Sequence, residues 1–267
     1  MPPRRAATAK PRRRRWFGRV RWGRVALAAL LCLAAVGGAF WISLPSPEPL
    51  RSAPPQSTAL IDARARAARA RGLAARRIQR WAPLGDISPH LRHAVVDSED
   101  ARFWQHDGID RLETEKAVIG ALEKGKLGRG ASTLTQQLAK NLWLGEERSL
   151  LRKVKEWILA RRLEALGKRR VLELYLNVVE WGHGIYGAEA AARFWFKKPA
   201  AELLPEEAAV LAAMLPAPLK RSPRRPSTKL VVRSAEVLEL LGAYGQLGAV
   251  DLAAARGRLK RLLPSPP

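Results

Sequence analysis

Residues 95–110 read VVDSEDARFWQHDGID, setting two adjacent carboxylates, Glu99 and Asp100, a few positions ahead of an imidazole at His106 before Gly108 and Asp110 close the stretch. Carboxylate and imidazole are the groups that most often take or give a proton at a reacting centre. The same string also fits a polar helix end running into a turn, with His106 capping the turn before Gly108.

Two further stretches could serve that chemistry. Ser132, Gln136 and Lys140 recur at i, i+4 and i+8, and share one face of a helix expected over 132–143. Gly128 and Gly130 precede it, so a glycine turn feeds a helix start with free N–H groups, a plausible oxyanion or phosphate cradle. A capped surface helix reads the same way. On a helix expected over 149–165, Arg148, Arg152, Lys155 and Glu156 form one stripe opposite Leu151, Val154 and Ile158. A solvated, salt-bridged face is the plain reading. Two helices offering cations beside carboxylates and amides also suit a diphosphate leaving group.

The elements that must position these residues are almost all helical. Ser88 can cap, and Pro89 fits the first position of, a helix running to Glu99. Val171, Leu172, Tyr175, Leu176 and Val179 mark the apolar face of a helix over 168–179. Glycines at 182, 184 and 187 precede an Ala-rich helix near 188–195, and PEEAAVLAAML begins another at Pro205. No alternating strand run competes. The fold class is therefore mostly α.

Ahead of this domain, residues 25–44 carry no charged side chain. Twenty residues at about 1.5 Å each match the roughly 30 Å of a bilayer core. Trp22 and Trp41 stand near its ends. A cleavable signal peptide is the alternative, though its apolar region is normally shorter. Ten Lys and Arg precede residue 25, against a net charge of +24 for the 267-residue chain. Basic flanks stay cytoplasmic, so the N-terminus is expected inside and the rest outside; a DNA-binding arm is the other reading of RRRR at 12–15. Prolines between 45 and 57 predict a stiff spacer. The Arg/Ala-rich segment after it predicts a basic helix interrupted at Gly72, either beside anionic headgroups or simply solvated. Cys32 is the only cysteine, which excludes intramolecular disulfides and Cys-based zinc sites.

Taken together, the stretches resemble the glycosyltransferase family 51 peptidoglycan glycosyltransferases, in their monofunctional, membrane-anchored branch. The first motif, E-D-x-x-F-x-x-H-x-G, is met by Glu99, Asp100, Phe103, His106 and Gly108. GASTLTQQLAKN at 130–141, RKVKE at 152–156 and RRVLELYLN at 169–177 match the next three. GIYGAEAAARFWFKK at 184–198 matches the fifth less closely, with Trp195 where a tyrosine is usual. The serine transpeptidase motifs S-x-x-K and K-T-G are absent from the sequence.

The resemblance implies a lysozyme-like glycosyltransferase domain over 58–245, after a basic tail (1–24), a transmembrane anchor (25–44) and a linker (45–57), and before a C-terminal tail (246–267). It implies polymerisation of lipid II into β-1,4 glycan strands at the bacterial inner membrane, with inversion and release of undecaprenyl diphosphate. Glu99 would be the general base. Glu156 would organise the diphosphate side, with a divalent cation (Mg or Mn) conceivable there. Lys140, Arg148, Arg152 and Lys155 would neutralise the leaving group, and Ser132, Gln136 and Gln137 would bind sugar or phosphate. Asp100, His106 and Gly108 would support Glu99. Expected partners are lipid II, the growing strand, membrane lipid and other cell-wall synthesis proteins, with no nucleic acid. A lytic glycosidase and a non-enzymatic, charge-driven binder are the rival classes.

Overall fold

The computed structural model describes residues 22–124, 132–145, 147 and 149–264. They fall into two units, divided after Leu44. In the first, α1 (Trp22–Ser43) is an uninterrupted 22-residue helix with no buried residue, about 33 Å long. It has the length and composition of a single-pass membrane anchor. The basic segment 1–21 lies outside the described residues.

The second unit is helical: α2 (Ala59–Arg69), α3 (Pro89–Glu99), α4 (Arg111–Lys124), α5 (Leu134–Ala139), α6 (Leu150–Leu163), α7 (Lys168–Val178), α8 (Ala188–Phe196), α9 (Pro205–Met214), α10 (Thr228–Ala243) and α11 (Ala249–Leu262). Two short strands, β1 (Ile78–Gln79) and β2 (Ile185–Tyr186), pair in parallel with Ile78 opposite Ile185. Two residues are too few to show an alternating period, so neither strand leaves a signal in the sequence.

Two packing centres organise this unit. Every residue of α9 is buried, as its nearly all-round apolar sequence requires, and α3 and α10 pack against it. The second centre is α5, held between α6 and α7. On α7 the predicted apolar face is buried, and Asn177 joins it. Asn177 Nδ2 donates to the carbonyls of Ala82 and Glu173, and its Oδ1 accepts from the Ala82 N–H, all at 2.8 Å. One buried carboxamide thus pins the segment after β1 to α7.

Several expectations change. The 45–57 spacer is not free: Leu50 is buried, and Arg170 donates to the carbonyls of Leu50 (2.7 Å) and Ala53 (3.0 Å). The basic helix α2 ends before Gly72 as expected, but it is not simply solvated. Leu60 and Ile61 are buried, Arg64 pairs with the buried Glu180 at 2.9 Å, and α2 rests on residues 140–144. The segment read as a C-terminal tail contains α11, which packs on α10 and α9. Arg258 holds Glu206 at the start of α9 through two bonds, 2.6 and 3.1 Å.

Replacing Asn177 by Ala leaves the N–H and the carbonyl of buried Ala82 short of a partner. Urea unfolding should show a loss of about 3 kcal/mol; an unchanged midpoint would contradict the pinning role.

Candidate functional site

The expected catalytic stretch begins where α3 ends. Pro89 occupies the first helical position, while the Ser88 hydroxyl donates to the Leu203 carbonyl (2.8 Å) instead of capping. Glu99 is the last residue of α3 and Asp100 leaves the helical conformation. The Asp100 carboxylate is buried and faces away from solvent into two partners. One oxygen accepts from the N–H of Leu134, the first residue of α5, at 2.9 Å. His106 Nε2 lies 2.9 and 3.1 Å from the two oxygens. Asp100, held by His106, therefore fixes where α5 starts, and among the described residues neither hydrogen-bonds to Glu99.

Gly108 is required by its backbone. Its φ is +84°, and an added Cβ would stand 2.9 Å from the Ala160 carbonyl oxygen. Its own carbonyl accepts from Thr133 Oγ1 at 2.7 Å. The first motif thus closes directly onto the start of α5 and the middle of α6.

That start differs from the expected helix. Thr133, not a residue before Ser132, is the N-cap, and it forms a capping box with Gln136. Ser132 stands outside the helix. Gln136 is buried, with Oε1 accepting from the Thr133 N–H at 2.9 Å. Ser132, Gln136 and Lys140 consequently do not form one presented face. The T-x-x-Q spacing was the available signal for this cap. Helix α5 is also short: residues 140–144 widen into a π turn, closed by the Gly145 N–H on the Lys140 carbonyl at 3.0 Å.

Gln137, one position on, does face the site. Its Nε2 donates to Glu99 Oε2 at 3.1 Å, and its Oε1 accepts from the Tyr175 hydroxyl at 2.9 Å. Burial pushes the Glu99 carboxyl above its usual range. The Gln137 hydrogen bond, then Arg233, Arg221 and Lys140, oppose that rise. Arg233 comes from α10 and also donates to the Ser98 carbonyl at 3.1 Å. A carboxylate set in this balance is a stronger base than one in water.

The face of α6 that turns inward carries the charge. Glu156 is buried together with Leu159, Ala160 and Leu163. Arg152 Nη1 reaches one of its oxygens at 2.6 Å, and Lys153 holds the other. Lys153 Nζ also reaches Ser132 Oγ at 3.3 Å. Leu151 and Val154, expected on the opposite stripe, are exposed along with Leu150 and Trp157. The first half of α6 thus departs from an amphipathic helix in water, and the buried carboxylate is tolerated because cations satisfy both oxygens. Sequence reasoning missed Lys153, although its i, i+3 spacing to Glu156 was legible. Lys155 is half-buried on the same helix. Arg148, Gly128 and Gly130 lie outside the described residues.

The surroundings of Glu156 suit a neutralised anion and not a protein-built metal cage. Among the described residues no three His, Cys, Asp or Glu side chains are grouped to hold an ion. Where the fifth motif departs from tyrosine, Trp195 supplies a hydrogen bond of its own: Nε1 donates to the Trp181 carbonyl at 2.9 Å.

Comparison with known proteins covers the stretch that contains these residues. A family model described as Transglycosylase matches residues 67–241. The biosynthetic peptidoglycan transglycosylase of Thiobacillus denitrificans is 48% identical over 165 residues, 61% of this chain and 71% of its own length. That of Nitrosomonas eutropha is 42% identical over 188 residues, covering 70% and 77%. That of Rhodospirillum centenum is 52% identical over 160 residues, covering 60% and 69%.

Gly108→Ala combines a left-handed backbone with a clash on backbone atoms. It should cost about 2 kcal/mol or more, seen as a lower thermal midpoint. A Gly108→Ala protein as stable as the parent would show that the turn can relax.

Proposed function

Because the chain belongs to the transglycosylase family, we propose that it polymerises lipid II into β-1,4 glycan strands with inversion, releasing undecaprenyl diphosphate. It is a peptidoglycan glycosyltransferase, an enzyme of glycan polymerisation. The observation that carries the finer reading is the double contact made around α5. Gln137 touches Glu99 on one side, and Ser132 touches Lys153, hence Glu156, on the other. A carboxylate base and a cation-rich cluster thus flank one short helix.

In this reading Glu99 accepts the proton of the acceptor sugar's 4-hydroxyl as that oxygen attacks the donor's anomeric carbon. The bond from that carbon to the diphosphate breaks in the same displacement, which inverts the centre. Negative charge grows on the departing diphosphate, where Arg152, Lys153 and Lys140 stabilise it, with Arg148 and Lys155 as further cations of the same motifs. Glu156 holds the first two in place. A divalent ion beside Glu156 would draw its other ligands from phosphate oxygens and water, and no step above depends on one. Ser132 and Gln137 hold sugar or phosphate polar groups, while Gln136 serves the cap.

The anchor fits this substrate. With α1 in the inner membrane and the basic tail cytoplasmic, the glycosyltransferase domain works outside, next to a lipid-linked donor. The exposed Leu150, Leu151, Val154 and Trp157 of α6 suit contact with membrane lipid.

Glu99→Gln should reduce polymerisation of labelled lipid II by about a hundredfold or more while the thermal midpoint holds; a folded variant of near-normal rate would sink the assignment. Arg152→Ala should weaken turnover of donor with acceptor affinity little changed. Equal damage to both would contradict a diphosphate role. Since the base works ionised, kcat/KM should fall on acidification through the raised Glu99 pKa, and a pH-rate profile lacking that acid limb would refute it.

A further inference from the structure

We propose that Tyr175 is a positioning residue for the transfer: its phenol holds the Gln137 carboxamide in the one orientation that turns an N–H, and not the carbonyl, towards Glu99. The proposal rests on Glu99 as the base and concerns what keeps that base oriented and ready.

Three groups stand in series on three helices. Tyr175 on α7 is fully buried, and its hydroxyl donates to Gln137 Oε1 on α5 at 2.9 Å. Gln137 Nε2 donates to Glu99 Oε2 at the end of α3 at 3.1 Å. An ionised carboxylate can only accept, a carboxamide has one accepting and one donating end, and a phenol can do either. With Glu99 ionised, a single order satisfies all three: O–H to carbonyl, then N–H to carboxylate.

Turning the carboxamide over would set carbonyl against carboxylate. It would also strip the phenolic proton of Gln137 Oε1, its acceptor, inside a buried site, where an unmade bond is costly. A protonated Glu99 could donate to the turned carbonyl, but the phenolic proton would still be stranded. The phenol therefore ties the carboxamide to the arrangement that favours ionised Glu99. Burial, then the charges of Glu99 and Asp100, push the phenol well above its usual range, so it stays a donor.

The other charged groups facing Glu99 do not make this choice. Arg233 from α10, Arg221 from the segment after α9 and Lys140 at the end of α5 act on the carboxylate through charge, whichever way the carboxamide points. Asp100, beside it, is committed to Leu134 and His106. Among the described residues the Tyr175 hydroxyl hydrogen-bonds to Gln137, and its effect on Glu99 passes through that carboxamide.

The test is the pH dependence of lipid II polymerisation by the full-length, detergent-solubilised protein. Tyr175→Phe removes one oxygen and keeps the ring. The acid limb of kcat/KM should move up by about one pH unit, with kcat recovering above the limb and donor KM unchanged. Gln137→Leu interrupts the same series from its other end and should displace the limb by a similar amount, with a rise in donor KM as well because Gln137 also meets substrate. The double variant should go no further than Gln137→Leu alone. An unmoved limb in a folded Tyr175→Phe protein, or an equal fall at every pH, would overturn the proposal, the second pattern being that of lost packing. Should Tyr175→Phe fail to fold, an unmoved limb in Gln137→Leu overturns it equally. A Glu99→Gln control separates the two levels: if it is inactive while the limb stays put, only the role of Tyr175 falls; if it is active, the base assignment falls.

Discussion

The site depends first on the Asp100 carboxylate. It sits at the N-terminus of α5, where an unpaired N–H and the helix dipole favour negative charge, and it accepts from Leu134 while engaging His106. That contact joins the end of α3 to the beginning of α5. Glu99 precedes Asp100 on one element, and Gln137 comes after Leu134 on the other, so their contact at 3.1 Å is a consequence of the junction. Gly108 adds the third side by letting the chain pass close over Ala160 of α6.

Around that junction two carboxylates are treated in opposite ways. Glu156 is buried and saturated by Arg152 and Lys153, which makes it a holder of cations. Glu99 is raised by burial, and one carboxamide bond and three more distant cations only partly offset this. The difference arises from spacing: Arg152 and Lys153 precede Glu156 by four and three residues on one helix, whereas no cation precedes Glu99 on α3 at comparable spacing on the same side. A proton acceptor and a charge organiser are thus made from the same residue type.

Much of this was legible in the sequence, because motifs fix backbone requirements. Pro89, the break before Gly72, the helix over 168–179 and the span at 25–44 all appear where local rules put them. The features that stayed illegible depend on tertiary pairing. Leu151 and Val154 have the spacing of a core stripe, yet α6 buries Glu156 instead, since partners that satisfy a carboxylate cannot be seen in helical periodicity. Gln136 has the spacing of a presented amide, yet a capping box consumes it. Tyr175 counts in the sequence as one more apolar position of α7; only the fold brings its hydroxyl to Gln137. The docking of α11 through Arg258 and Glu206 depends on residues 52 apart in the chain, beyond any local pattern.

The π turn at 140–144 bears on how this stretch can change in length. Its carbonyl-to-amide closure from Lys140 to Gly145 spans one residue more than an α turn, and α2 rests against it. Excising a single residue here would restore ordinary winding and rotate the downstream chain by about 100°, swinging the successors of Lys140 off their bearings. Lineages of this enzyme should therefore tolerate substitutions at the half-buried Trp143 and Leu144 far more readily than insertions or deletions anywhere in the turn.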